Sequence, residues 1–157
     1  MEGAYGYLPN HRKHQLKAFG FYEVTPEVMV GANVLIASGR PRSCIGSAAN
    51  PGDSPNYANQ TFYCGGLTRA ENVLTPRGTV GNLPWEHRYD VNVAYKPNFA
   101  KGLQFRVDVF NVFNSQVVRN VTEAYNNGAN VSGLYQTPLS LTSPRYARFS
   151  LMYDRKF

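Results

Sequence analysis

The sequence predicts an all-β fold, an antiparallel up-and-down meander of about five strands, and three observations predict it. Five stretches alternate apolar and polar side chains with period 2, the signature of strands with one greasy and one polar face. Each is roughly 10–13 residues long, close to the ~9–11 that a tilted strand needs to cross a bilayer. The connections between them run short, long, short, long, and they hold most of the Gly, Pro, Asn and Ser clusters that break regular structure.

Residues 1–10 carry Gly3, Gly6, Pro9 and Asn10 and read as a loop. The first strand is expected over 11–23, with Leu16, Ala18, Gly20 and Tyr22 on one face and Lys13, Gln15, Lys17 and Phe19 on the other. Pro26 stops the ladder within the turn 24–27. The second strand, 28–37, sets Val28, Val30, Ala32, Val34 and Ile36 against Met29, Gly31, Asn33, Leu35 and Ala37. Residues 39–84 then show little periodicity. A structureless loop of that length is uncommon in a compact soluble domain. Both cysteines, Cys44 and Cys64, lie in it.

The third strand, 85–96, has the clearest alternation. Trp85, His87, Tyr89, Val91, Val93 and Tyr95 face one way, and Glu86, Arg88, Asp90 and Asn92 the other. Aromatics at both ends with valines between them follow the girdle–band–girdle order of a membrane barrel strand. The turn 97–102 leads to the fourth strand, 103–113. Its apolar face is Leu103, Phe105, Val107, Val109 and Phe113, opposite Gln104, Arg106 and Asp108. A second long connection, 114–143, precedes the terminal strand. There Ala147, Phe149, Leu151, Tyr153 and Phe157 share the apolar side, opposite Tyr146, Arg148, Ser150, Asp154 and Lys156. Outer-membrane barrels often end on such an aromatic strand, which their assembly machinery reads. Arg155 departs from the pattern, standing where an apolar residue is expected.

Composition narrows the class. Hydrophobic residues make up 43% of the 157, mean hydropathy is -0.38, and the longest aliphatic run is Val34-Leu-Ile-Ala37. No segment approaches the ~20 apolar residues of a membrane helix. Barrel strands, by contrast, average to moderate hydropathy because they alternate. The 11 Tyr and 9 Phe suit sheets and interfacial girdles. The net charge of +6 comes from scattered residues, which read as a mixed polar surface and not as a nucleic-acid-binding patch. In an outer-membrane barrel the periplasmic turns are short and the extracellular loops long. Counting back from a periplasmic C-terminus, 38–84 and 114–144 fall outside and 24–27 and 97–102 inside, with no strand left over.

Several segments carry a family resemblance: Leu8-Pro-Asn-His-Arg-Lys-His-Gln-Leu-Lys17, Val30-Gly-Ala-Asn-Val34, Ser38-Gly-Arg-Pro41, Phe62-Tyr-Cys64, Asp108-Val-Phe-Asn-Val-Phe-Asn114 and the terminal strand. They resemble the C-terminal end of TonB-dependent outer-membrane receptors, closest to the large-barrel Oar-like group. The resemblance spans nearly the whole chain but only the last part of the family's length. It implies that 1–157 supplies about five of the roughly 22 strands that surround a plug in such barrels. It also implies a Gram-negative outer-membrane location and energy-coupled uptake of a substrate by the full-length protein. The implied partners are outer-membrane lipid, the remaining strands and plug, TonB through the N-terminal part, and the barrel-assembly machinery. No nucleic acid and no cofactor are implied.

Met1-Glu-Gly-Ala-Tyr5 lacks the basic start and apolar core of an export signal, and neither plug nor TonB box is present. The expectation is therefore a fragment that does not transport alone.

On the oxidising side of that membrane Cys44 and Cys64 are disulfide candidates. A bond enclosing about 20 residues could stabilise the loop by roughly 3 kcal/mol. Free thiols in an intracellular chain, or a zinc site with His11, His14 or His87, are the alternatives. Phe149, Leu151, Tyr153 and Phe157 are the candidate assembly signal. Arg88, Asp90, Arg106, Asp108, Arg148 and Asp154 are the candidate lumen-facing charges, either a mutually neutralising wall or a contact for plug or substrate. The Asn-x-Ser/Thr triplets at Asn59, Asn120 and Asn130 are read as chance. No phosphate loop, nucleophile elbow or carboxylate–base pair points to an enzyme. The rival reading is a soluble β-sandwich for surface or carbohydrate binding, with Trp85, Tyr89 and Phe105 in its core.

Overall fold

The computed structural model describes residues 3–46 and 61–154. In chain order the strands are β1 (Gln15–Thr25), β2 (Val28–Ala37), β3 (Tyr63–Cys64), β4 (Val73–Leu74), β5 (Glu86–Tyr95), β6 (Leu103–Phe110), β7 (Val118–Val121), β8 (Asn126–Asn127), β9 (Asn130–Val131), β10 (Pro138–Leu141) and β11 (Tyr146–Tyr153). A single 3-10 turn, Arg69–Glu71, is the only helical element among the described residues. No helix is long and apolar enough to cross a membrane, which says nothing of strands. The chain divides into two compact units.

The first unit holds residues 14–37, 85–117 and 142–157. Its one sheet has the order β1-β2-β5-β6-β11, and every neighbouring pair is antiparallel. These five strands match the five that alternation predicts. The sheet is open, with β1 and β11 at its edges.

The strand ends differ from the expectation for local reasons. β1 starts at Gln15 and not at residue 11, because the His11 N–H donates to the Leu8 carbonyl at 2.9 Å and turns the chain. It runs on to Thr25, whose hydroxyl accepts from the N–H groups of Glu27 and Val28 at 3.3 and 3.1 Å. β6 stops at Phe110 because Asn111 and Asn114 take left-handed φ values of 53° and 52°, a conformation that Asn tolerates better than most residues. The turn 97–102 closes on Gly102, where φ is 90° and a Cβ would lie 2.1 Å from the Asp154 carbonyl oxygen. Only glycine fits there. The Asp154 N–H donates to the Gly102 carbonyl at 2.8 Å and ties the end of β11 to this turn.

The second unit holds residues 1–13, 38–84 and 118–141. The sequence shows little periodicity here, yet the structure is ordered as small pairs: β3 with β4, β7 with β10, and β8 with β9. Isolated bridges add Pro41 to Asn82, Ile45 to Ala124, Gly46 to Thr61 and Thr68 to Asn130. Pairs of two to four residues are too short to show alternation. The buried apolar residues of this unit are Cys44, Phe62, Cys64, Leu83 and Val121.

Candidate functional site

The register of the five-stranded sheet decides which side chains share a face. Leu16 lies beside Ile36, and Ala18 beside Val34. Val34 in turn lies beside Tyr89, and Ala32 beside Val91. Val91 and Val93 continue to Val109 and Val107, and these to Ala147 and Phe149. Tyr95, Phe105 and Leu151 extend the next row. The apolar faces of all five strands thus merge into one unbroken surface.

That surface is exposed. Val93, Leu151 and Phe149 are 43%, 65% and 78% accessible, whereas Asp90 and Asp108 on the opposite face are 5% and 3% accessible. A water-soluble sheet hides its apolar face and leaves its carboxylates wet. This sheet does the reverse. Of the three residues that the sandwich alternative places in a core, Trp85 and Phe105 are 45% and 44% exposed and Tyr89 is half-buried.

Aromatics rim the apolar surface at its two ends. At the end of the long connections Trp85 stacks between His14 and His87, with ring centroids 6.1 and 6.4 Å away, and Tyr89 meets Phe113 edge-on at 5.1 Å. At the other end Tyr95 lies 6.5 Å from Phe105. The assembly-signal candidates Phe149, Leu151 and Tyr153 share this face through pairing with Val107, Phe105 and Leu103. Phe157, like Arg155 and Lys156, lies outside the described residues.

On the opposite face two Arg-x-Asp triplets stand on adjacent strands. Arg88 pairs with Asp90 at 3.1 Å. Arg106 pairs with Asp108 at 2.7 Å, and Arg148 reaches the second oxygen of Asp108 at 3.1 Å from the neighbouring strand. The carboxylates are buried at the sheet surface, and the guanidinium groups lean out over them, between 39% and 59% accessible. Arg148 also lies over the Phe110 ring, its guanidinium carbon 5.4 Å from the centroid. Asn92 occupies the space above Gly31, where any Cβ would meet its amide at 2.7 Å. Asp154 does not join this cluster: it follows β11 at the Pro97–Gly102 turn.

Asn111 was not singled out by its chemistry in the sequence, yet it organises the end of this face. It is 3% accessible. Its N–H donates to Asp90 at 2.9 Å, and its amide nitrogen donates to the Ser115 and Ser143 carbonyls at 3.0 and 2.8 Å. Its amide oxygen accepts from the Ser115 N–H at 3.0 Å. Asn114 accepts from the Arg145 N–H at 2.9 Å. The sequence signal for this role is the spacing of the two asparagines just past a strand.

In the second unit Cys44 and Cys64 are disulfide-bonded, with Cα atoms 6.3 Å apart. The bond engages both sulfurs, and no cluster of His, Cys, Asp or Glu among the described residues could hold a metal. Arg40 is the polar centre of the unit. Its guanidinium donates to Glu123 at 2.9 Å, to the Arg119 and Pro41 carbonyls at 3.2 Å each, and to the Asn120 side chain. Glu123 also accepts from the Ser43 N–H at 2.9 Å. Arg12 donates to the Ser38 carbonyl at 2.6 Å. A cavity of about 430 Å³ opens among Asn10, Arg12, Arg40, Arg119, Asn120 and Glu123. Nearby in sequence, burial pushes the Tyr135 phenol above the ordinary tyrosine value. Of the Asn-x-Ser/Thr triplets, Asn120 is engaged by Arg40, Asn130 begins β9, and Asn59 lies outside the described residues.

Among known proteins, the chain is similar to the TonB-dependent transporter Oar of Myxococcus xanthus, with 32% identity over 127 residues. The match covers 80% of this chain and 11% of that protein. No family model matches the chain, and no solved structure matches it.

Proposed function

We propose that residues 1–157 form a late segment of the β-barrel of a TonB-dependent outer-membrane receptor, and that the full-length protein performs energy-coupled uptake. The observation that carries this reading is the sheet itself, whose apolar face is exposed while Asp90 and Asp108 on the other face are buried beneath arginines. An apolar face of this extent needs a cover, and the hydrocarbon of an outer membrane suits an alternating sheet with aromatic rims. The similarity to a TonB-dependent transporter supports the same reading, although this chain spans about 11% of that protein's length.

In this reading lipid covers the apolar face, and the remaining barrel strands pair with the edges of β1 and β11. A plug domain faces Arg88, Arg106 and Arg148, and TonB engages the receptor through the part ahead of this segment. The barrel-assembly machinery reads Phe149, Leu151, Tyr153 and Phe157. No catalytic step is assigned to the segment.

Topology tests it. One epitope is inserted at 51–56 and another at 98–101 of the chromosomal gene in the source organism. Antibody is expected to reach the first on intact cells, and the second only after the outer membrane is permeabilised. Recovery of the protein in a soluble fraction, or equal labelling of both epitopes on intact cells, would overturn the reading.

A further inference from the structure

The uptake reading rests on the sheet and gives the Cys44–Cys64 bond of the second unit no task. Both halves of that bond are buried, Cys44 at 3% accessibility and Cys64 at 1%. Cys64 lies in β3, where it pairs with Val73 of β4. Beside Cys44, the Ser43 N–H donates to Glu123, and the Ser43 hydroxyl accepts from the Gly78 N–H at 3.1 Å. Ile45 donates its N–H to the Glu123 carbonyl at 2.8 Å and accepts from the Tyr125 N–H at 2.7 Å. Gly46 and Thr61 exchange two backbone bonds. A Cβ at Gly46 would lie 3.2 Å from the Cβ of Cys64. Disulfide exchange needs a thiolate to reach one of the two sulfurs. The folded unit leaves neither sulfur open to one.

The bond also makes up much of a small core. Among the described residues the buried apolar side chains of this unit are Cys44, Phe62, Cys64, Leu83 and Val121, and two of these five are the cystine itself. Around them stand strand pairs of only two to four residues. An isolated pair of strands is marginal in water, and small folds with so little apolar interior depend on covalent links. The reduced unit therefore lacks the means to pack, and the packed unit lacks a path to its sulfurs.

We infer that this unit folds only after an external disulfide has oxidised Cys44 and Cys64, and that packing then seals the bond. The partner is a dithiol–disulfide oxidant that acts on the unfolded segment. One cysteine thiolate attacks a sulfur of the partner's disulfide and displaces the other sulfur as a thiolate. The second cysteine then attacks the mixed disulfide and releases the partner. The two cysteines give up two electrons and two protons, and the partner's disulfide takes them up as two thiols. The inference does not depend on the receptor reading, because any oxidising compartment supplies such a partner.

The test uses the full-length protein purified from its source without denaturant. It is treated with dithiothreitol, alkylated, and read by mass spectrometry at the peptides that hold Cys44 and Cys64. Reduction should run at least about a hundredfold slower in the folded protein than in denaturant, since it waits for the unit to open. In growing cells, dithiothreitol added during synthesis should leave both thiols reduced and the chain open to trypsin at Arg77. That site reports on packing because the Arg77 guanidinium lies over the buried Phe62 ring at 5.1 Å. The same reductant added after synthesis should leave the bond and the resistance intact. The double variant Cys44→Ala with Cys64→Ala, which keeps small apolar side chains without the link, should be cut at Arg77 under conditions that spare the wild type. Equal reduction rates in folded and denatured protein would overturn the seal. Trypsin resistance of the double variant, or of wild type made in reductant, would overturn the requirement for prior oxidation.

Discussion

Asn111 concentrates more of the sheet's geometry than any charged residue does. Its φ of 53° costs an ordinary side chain roughly 1 kcal/mol or more, and its amide joins the carbonyls of Ser115 and Ser143, residues that bracket the connection between β6 and β11. Asn111→Ala keeps the strained backbone, removes these bonds, takes the amide donor from the Ser143 carbonyl and leaves the Ser115 carbonyl only the Thr142 hydroxyl. We expect a loss of about 2–4 kcal/mol, read from denaturant unfolding of the purified protein. Asn111→Gly relieves the backbone but not the carbonyls and should cost less. Equal losses in the two variants would mean that the backbone conformation contributes nothing. The sequence displays this residue within the Asp108-Val-Phe-Asn-Val-Phe-Asn114 segment, as one of two asparagines just past a strand. Nothing in its spacing says that Asp90, 21 residues earlier, accepts its N–H. The same holds for Arg40 and Glu123, joined across 83 residues: long-range polar pairing leaves no local trace.

At the scale of the strand, much more is legible. Period-2 alternation locates all five sheet strands, since each must separate an apolar from a polar face. Parity also assigns Arg88, Asp90, Arg106, Asp108 and Arg148 to one side. It does not choose partners: Arg88 and Arg106 each bind an aspartate on their own strand, and only Arg148 pairs across to its neighbour. The short strands of the second unit escape detection because two to four residues cannot show a period. The two faces make opposite predictions for a new charge. Val107→Arg, between Val93 and Phe149 on the apolar face, should destabilise a lipid-embedded barrel by about 2–4 kcal/mol. Ser150→Arg, opposite Arg106 on the charged face, adds only a like-charge neighbour and should cost at most about 1 kcal/mol. The heat-modifiable gel band of the assembled barrel reads both. Equal tolerance of the two substitutions would remove the distinction between a lipid face and a lumen face.

For the whole molecule, the decisive feature is that the sheet has edges. Five strands spaced about 4.8 Å apart make a ribbon of roughly 24 Å, too narrow to curl back so that β11 meets β1. Each edge therefore keeps a row of backbone N–H and C=O groups without a strand beside it. In water such an edge recruits another chain. In lipid each unsatisfied group costs several kcal/mol, so open sheets do not persist there. The apolar face compounds the problem, because water does not tolerate it and the bilayer does not tolerate the edges beside it. Only further strands resolve both demands at once, by closing the ladder while leaving the apolar face to lipid. Expressed alone with an export signal, the 157-residue chain should give no heat-modifiable, protease-resistant band in outer membranes. Placed at the end of a barrel of suitable strand number, the same residues should resist protease. A folded, monomeric, protease-resistant band from the chain alone would mean that five strands satisfy their own edges, and the receptor-segment reading would fail with it.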